Sequence, residues 1–367
     1  MTKTALTTSL MLLSAGIASA QTTVSGNLAL VYKAISNDQA TQKVNNFRQF
    51  GKESQINIAN KGKLNNGMDY AAGFSIELDG NDTMAANATS TSQASNTLAG
   101  AFNENVYIDF IMGNTTVTLG ADHIQNPDFT ITNLTGAYDP DDVVKAIGGQ
   151  TTQLYSAAKN SAYEAYGIGV FHNLPNNTGR ISVNYTPDRT AGVANGDTTP
   201  VNAANVQTLY DTGESAIEFG FRGNAGVNGL NLAAFYNTSD SGGAAEKLQG
   251  KMVAASYNFG AITVAAERAI VQNTAGIETK SNSFGIGYAL SPNTSVGYNL
   301  TKTESNERAG ERGSATDRKE DEKIHGLSVA HSLGPVSVAL AYGKVDSLAG
   351  QNNKDGEALV FRTNVNF

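Results

Sequence analysis

The feature that most constrains the fold is a strict alternation of long and short connectors between runs of alternating apolar and polar residues. Sixteen runs can be counted, at about 22–33, 52–61, 66–79, 104–113, 114–122, 161–173, 178–187, 214–223, 228–237, 250–259, 261–269, 280–290, 293–303, 322–333, 335–344 and 356–367. Each spans roughly 9–12 residues, the length with which a tilted strand crosses a bilayer. The short connectors are rich in Gly, Asn and Pro, which favour tight turns.

This alternation predicts an all-β fold, a 16-stranded antiparallel transmembrane β-barrel with long extracellular loops and short periplasmic turns. In the first run, Val24, Leu28 and Leu30 share one face, and Asn27 lies on the other. An even number of strands lets the first and last strands pair and close the sheet. A secreted β-sandwich or β-solenoid is the alternative, although no repeat of 20–50 residues is visible.

Composition excludes several other classes of protein. The 367 residues include no cysteine, so the chain has neither disulfides nor a thiolate metal site. No apolar stretch is long enough for a transmembrane helix. A net charge of −8 argues against sequence-independent binding of nucleic acid, which requires clustered Lys and Arg.

The N-terminal segment has the three parts of a secretory signal peptide. Lys3 supplies the positive charge, residues 6–17 are mostly apolar, and Ala18-Ser19-Ala20 fits the cleavage rule. We expect residues 1–20 to be cleaved and residues 21–367 to form one barrel domain outside the cytoplasm.

Several motifs resemble those of Gram-negative general porins. They are Glu53-Ser54-Gln55-Ile56-Asn57-Ile58 leading to Phe74, the hairpin from Glu104 to Gly120, and the alternating final strand that ends in Phe367. The resemblance implies a trimeric, water-filled diffusion channel in the outer membrane. It also implies a third loop that folds inward and constricts the pore, and Phe367 as a signal read by the barrel-assembly machinery.

The charge of the pore is predicted from that loop and from the inward phase of the strands. The loop carries the acidic residues Asp128, Asp139, Asp141 and Asp142. Inward-phase acids are Asp69, Glu77, Asp109, Asp122 and Glu218, and inward-phase bases are Lys33, Lys61, Arg180, Arg222 and Arg362. Gln55, Asp69, Thr118 and Ala121 stand where relatives commonly carry basic residues. We therefore expect a weak preference for cations, the alternative being that these charges are merely solvated.

No sequence pattern indicates catalysis, a cofactor or a metal. His123, His172, His325 and His331 lack ligand spacing, and the Asp139–Asp142 segment lacks the other EF-hand ligands. Ser156 and Lys159 match an SxxK motif without its partner motifs. Three other functions remain: a substrate-selective channel, an adhesin, and a barrel enzyme for which His325 and His331 are the histidines expected to face outward.

Overall fold

The computed structural model describes residues 21–37, 47–77, 102–120, 167–186, 215–239, 248–273, 278–305, 321–347 and 355–367. These residues form sixteen β-strands and one turn of 3₁₀-helix, Pro175–Asn177. Within this part of the chain, no helix combines the length and the hydrophobicity that spanning a membrane requires.

The strands follow one another along the chain as the run pattern predicts. The first eight are β1 (Gln21–Asn37), β2 (Phe47–Lys63), β3 (Asp69–Glu77), β4 (Phe102–Met112), β5 (Thr115–Gly120), β6 (Gly167–Asn173), β7 (Gly179–Thr186) and β8 (Ala216–Gly223). The second eight are β9 (Leu230–Ser239), β10 (Leu248–Phe259), β11 (Ile262–Asn273), β12 (Glu278–Ser291), β13 (Thr294–Ser305), β14 (Glu322–Leu333), β15 (Val336–Asp346) and β16 (Gly356–Asn366).

All sixteen strands belong to one closed antiparallel barrel in which each strand pairs with its neighbours in sequence. The ring closes where β1 pairs with β16, from Asn27 opposite Asn366 to Asn37 opposite Gly356. Closure satisfies the backbone groups that an open sheet would leave unpaired at its edges. The predicted fold is confirmed.

The two ends of the barrel differ in how the strands are joined. At the short-turn end, β4 connects to β5 through Gly113-Asn114, and β14 connects to β15 through Gly334-Pro335. Gly113 and Gly334 have φ angles of 60° and 81°, which glycine adopts without steric cost in a tight hairpin. The long connectors of the sequence join the strands at the opposite, long-connector end.

Side chains alternate between an apolar outer face and a largely small or polar inner face, as the pleat of a strand dictates. On β12, Phe284 and Ile286 point outward with 50% and 40% of their surfaces exposed, whereas Ser281 and Ser283 are buried on the inside. The outer face carries further apolar residues, among them Leu28, Val170, Ile181, Val183, Phe219, Val253, Leu327, Leu340, Leu359 and Phe361. This arrangement suits lipid outside and water inside.

The inner face also has one apolar cluster, formed by Ala233, Phe235, Met252, Ala254, Ala265 and Ala269 on β9, β10 and β11. Val31, an apolar residue in the polar phase of the first run, likewise lies inside and is 5% exposed. Among the described residues, apolar side chains therefore occupy parts of the inner face, and small, polar and charged side chains occupy the rest.

Candidate functional site

The inner face of the barrel is the candidate site, because it holds the charged residues of the predicted pore wall. Residues paired across neighbouring strands point to the same face of the sheet, so the register shows whether each wall candidate points inward or outward. Lys33 stands opposite the buried Val360, and Arg362 stands opposite the buried Val31. The same reasoning places the remaining described candidates inward: Lys61, Asp69, Glu77, Asp109, Arg180, Glu218 and Arg222.

The acidic residues predicted to form the constriction are not among the residues that the structure describes. Asp128, Asp139, Asp141 and Asp142 lie outside the described residues, as does the wall candidate Asp122. Their place in the pore therefore remains a prediction.

A cluster of charged residues lies on the inner face of β4, β7 and β8 near the short-turn end. Arg180 and Arg222 are directly opposite each other in the register of β7 and β8. The guanidinium carbon of Arg180 lies 3.9 Å from the centre of the Phe171 ring, a cation–π contact. Asp109 attracts Arg180 electrostatically, whereas Arg222 repels it. Asp109 also accepts a 2.6 Å hydrogen bond from the Thr118 hydroxyl, which fixes its orientation.

A second set of residues, all acidic, lies nearer the long-connector end. Glu218 on β8 is fully buried and accepts a 3.2 Å hydrogen bond from the side-chain amide of Asn184. Glu322, the first residue of β14, is 1% exposed on the inner face. Glu267, near the middle of β11, is 9% exposed. The sequence interpretation missed Glu267 and Glu322, although both alternate with outward residues in their runs.

One predicted wall acid is neutralised by a base that the sequence interpretation also missed. Lys63 donates to an oxygen of Asp69 at 2.5 Å, at the short-turn end of β2 and β3. Both side chains are more than half exposed, so the pair contributes little to stability. Its effect on the pore is to cancel the charge of Asp69 and leave the neighbouring Lys61 as the net charge at that place.

Charge on the described wall is therefore separated along the barrel axis. The short-turn end carries Lys61, Arg180 and Arg222, with Arg362 in the same half of β16. The long-connector end carries Glu77, Glu218 and Glu322 at or near the ends of their strands. Lys33 and Asp109 are exceptions to this separation. The described wall therefore carries groups of opposite sign at its two ends.

The three described histidines lie on the outer face, away from the lumen. His172, His331 and His325 hydrogen-bond through Nδ1 to Thr115, Thr294 and Tyr298 at 2.9, 2.8 and 2.8 Å. The expectation that only His325 and His331 face outward was wrong, because His172 pairs with the outward Ile181. Among the residues that the structure describes, no three potential metal ligands lie together.

Phe367 lies on the outer surface at the seam between β1 and β16. Its backbone exchanges hydrogen bonds of 2.8 and 3.0 Å with Gly26. Its ring covers Gly26 so closely that a Cβ atom on this glycine would approach the ring to 2.6 Å. The aromatic side chain, 67% exposed, thus packs over the strand that closes the barrel.

The fold and its charged lumen can be compared with known proteins. The sequence profile of Gram-negative porins matches residues 5–350. The chain belongs to the Gram-negative porin family. This family and its barrel place the porin in the outer membrane as a channel, and they support a non-enzymatic function. In such barrels the short turns are periplasmic and the long loops extracellular.

Solved structures share the fold of this porin at low sequence identity. An anion-selective porin from Comamonas acidovorans has 14% identity and a TM-score of 0.63, with 95% of this chain and 100% of that chain covered. A trimer form of OmpT from Vibrio cholerae has 11% identity and a TM-score of 0.59, with 95% and 100% covered. A Rh. blastica porin mutant has 16% identity and a TM-score of 0.58, with 95% and 100% covered. No curated protein matches the sequence significantly.

Proposed function

We propose that this porin lets small hydrophilic solutes and ions diffuse passively across the outer membrane, with a weak preference for cations and without a chemical step. The observation that carries this proposal is the closed barrel whose outer face is apolar and whose inner face carries both acidic and basic side chains. Water and ions are attracted to such a wall, whereas lipid solvates the other face.

The cation preference is inferred from where the acidic residues lie. On the described wall, Glu218 and Glu322 lie on the inner face near the extracellular end, and both side chains are buried. The third connector adds Asp128, Asp139, Asp141 and Asp142 on the same side of the membrane. Carboxylates around a pore entrance raise the local concentration of cations. The periplasmic arginines oppose this effect, which is why the expected preference is weak.

The test is a zero-current potential across a planar bilayer under a salt gradient. Changing Asp139, Asp141 and Asp142 together to Asn should lower the permeability of cations relative to anions, most clearly at low salt, where screening is weakest. Asp346→Asn is the matched control, because this carboxylate lies on the outer face of β15 beside Lys344. An unchanged potential in the triple variant would refute the role of these carboxylates but not the diffusion channel.

A substrate-selective channel, the alternative function, differs from a diffusion channel in how its current depends on solute concentration. A selective channel saturates with its solute and is blocked by it, whereas a diffusion channel conducts in proportion to concentration. We expect ion current to rise linearly with salt above the range in which wall charges are screened. Saturation of the current by one class of solute would favour the selective channel.

Export and assembly complete the proposal. We propose that residues 1–20 are removed, that the barrel-assembly machinery inserts residues 21–367, and that the porin forms homotrimers, as a Vibrio cholerae neighbour does. N-terminal sequencing of outer-membrane protein should begin at Gln21. Native mass spectrometry should give a three-chain assembly, and a protein that retains Met1 or is only monomeric would contradict the corresponding part.

A further inference from the structure

The first residues of β1 have a neighbouring strand on only one side. β1 pairs with β2 from Gln21 onwards, whereas its pairing with β16 ends at Gly26, which exchanges hydrogen bonds of 2.8 and 3.0 Å with Phe367. Among the described residues, no strand continues β16 beside residues 21–25. These five residues, the β1 overhang, are all exposed and lie at the short-turn, periplasmic end of the barrel.

The backbone of the β1 overhang directs part of its hydrogen-bonding groups to the side that β16 leaves open. In an antiparallel sheet, the N–H and C=O groups of one residue point to one neighbouring strand, and those of the next residue point to the other. Because Gly26 points towards β16, Val24 and Thr22 point to the same side, where β16 has ended. Ser25 and Thr23 point towards β2. Two donors and two acceptors are therefore arranged as one side of a β-ladder.

Side chains on the outer face hold the β1 overhang in its extended conformation. The Thr22 hydroxyl accepts a 2.9 Å hydrogen bond from the side-chain amide of Asn60, which in turn accepts a 2.7 Å hydrogen bond from the Tyr70 hydroxyl. These contacts tie the overhang to β2 and β3. A partner that binds here therefore meets a strand that is already formed, which lowers the entropy cost of binding.

The β1 overhang lacks several features that protect edge strands from pairing with another chain. Edge strands are commonly protected by a lysine, a proline or a β-bulge. Residues 21–25 read Gln-Thr-Thr-Val-Ser, and their pairing with β2 has no shift of register. Threonine and valine also favour the extended conformation. The overhang is therefore suited to accept a further strand.

We propose that the β1 overhang is a strand-addition site for an extended segment of a soluble periplasmic protein. The added strand runs antiparallel to β1 and continues the line of β16 beyond Phe367, and main-chain hydrogen bonds supply the affinity. β2 shows which side chains fit beside the overhang, because Ile58 lies opposite Val24 on the outer face, between the inward-facing Asn57 and Ala59. The partner accordingly carries a β-branched apolar residue opposite Val24 and small or amide side chains next to it.

The direction of the strands argues against a second copy of the porin as the partner. Copies in one membrane are related by rotation about the membrane normal, so their β1 strands run in the same direction. Pairing between them would be parallel, which is less stable per residue than antiparallel pairing. A segment that approaches from the periplasm can take the antiparallel direction. The site is separate from the ion preference of the lumen, so the two proposals can fail independently.

The experiment measures, by fluorescence polarisation, how a dye-labelled peptide binds to the folded porin in detergent. The peptide has the sequence of residues 57–61, Asn-Ile-Ala-Asn-Lys, which pair with the overhang in the barrel itself. Val24→Pro removes a donor on the open side, where proline is tolerated because β2 does not use that N–H. This variant should bind the peptide at least about ten-fold more weakly, because a hydrogen bond is lost and the ring obstructs the edge. Val24→Thr keeps the N–H and the branched side chain, and it should bind normally.

Two methylated peptides test the direction of the hydrogen bonds with unmodified porin. In the added strand, the isoleucine opposite Val24 points its N–H towards β1, whereas the following alanine points its N–H away. N-methylation of the isoleucine should therefore abolish binding, and N-methylation of the alanine should leave it unchanged. This comparison does not depend on the folding of any variant.

Three outcomes would overturn the proposal. The first is that the unmethylated peptide does not bind, or binds equally to Val24→Pro and to unmodified porin when both migrate as folded barrel without heating and conduct ions equally. The second is equal binding of the two methylated peptides. The third is a change of oligomeric state in Val24→Pro, since the overhang would then be a contact between copies of the chain.

Discussion

At the scale of single residues, neighbours in the sequence face different solvents. Leu28 is 42% exposed on the outer face, whereas Ala29 is fully buried on the inner one. The same alternation separates Phe219, directed at lipid, from Glu218, directed at the lumen. The effect of a substitution in this porin therefore depends on the parity of its position more than on the strand in which it lies.

Introducing the same charge at two adjacent positions of β1 tests this dependence. Leu28→Arg should destabilise the folded barrel by about 2–4 kcal/mol if the residue lies near the bilayer midplane, because the guanidinium must enter lipid. Asn27→Arg should have a much smaller effect, since this position faces the lumen. The measurement is urea-induced unfolding in lipid vesicles. It is monitored by circular dichroism, because the chain has no tryptophan for fluorescence. Equal losses in the two variants would contradict the parity assigned to β1.

Parity could be predicted from sequence, but contacts between side chains could not. Every described wall residue proposed from the sequence faces inward, because alternation is a local property of a strand. The stacking of Arg180 on Phe171 and the pairing of Lys63 with Asp69 depend on how neighbouring strands are staggered. His172 was misassigned for a related reason: the phase of a short strand is set by pairing, here with Ile181.

At the scale of the strands, the sequence predicted the periplasmic ends better than the extracellular ones. On the periplasmic side, β6 ends at Asn173 and β8 ends at Gly223, which are the predicted residues. β1 continues to Asn37 and β11 to Asn273, beyond the predicted residues 33 and 269. The apolar phase marks only the segment in contact with lipid, whereas backbone pairing continues past the membrane. Ile35, which faces inward and is 6% exposed, shows this loss of phase in β1.

The seam strand offers a prediction about assembly. Phe367→Asn should lower the yield of folded barrel, because it removes the ring that covers Gly26 where β16 meets β1. Phe361→Asn removes another outward aromatic from the same strand and is the matched control, for which a smaller loss is expected. Folded and unfolded porin are distinguished by their migration in gels with and without heating. Similar yields for both variants would mean that Phe367 has no special role.

Gly26 allows an independent check of the same contact. A Cβ atom here would lie 2.5 Å from the backbone oxygen of Gln55 as well as 2.6 Å from the Phe367 ring. The backbone oxygen cannot move away as a side chain can, so Gly26→Val should lower the yield of folded barrel too. A normal yield would show that the seam tolerates separation of the two strands at this point.

At the scale of the whole molecule, the separation of wall charge predicts an asymmetric current. Acids near the extracellular end and bases near the periplasmic end make ion accumulation in the lumen depend on the sign of the voltage. At low salt, the ratio of the currents at opposite voltages should differ from unity. The ratio should approach unity at about 1 M salt, where the Debye length falls to about 3 Å.

Variants can assign this asymmetry to the periplasmic arginines. Replacing Arg180 and Arg222 together by Gln should reduce the asymmetry measured in single-channel recordings. Lys344→Gln, on the outer face, is the control and should leave it unchanged. Asymmetry that persists in the arginine variant would show that these two arginines do not cause it and would assign it to other charged residues, such as Lys61 and Arg362 or the acids near the extracellular end.

The pairing of β1 with β16 also distinguishes a complete barrel from one that an interrupted chain leaves incomplete. Every interior strand finds its partners among strands next to it in the sequence, but the seam joins the two most distant strands of the sheet. A chain interrupted anywhere before β16 leaves two exposed sheet edges whose backbone N–H and C=O groups are unpaired. Where β1 and β16 pair, a complete barrel therefore has no free sheet edge, whereas an incomplete one has two. A protease or chaperone that binds free strand edges can distinguish the two states from the backbone alone.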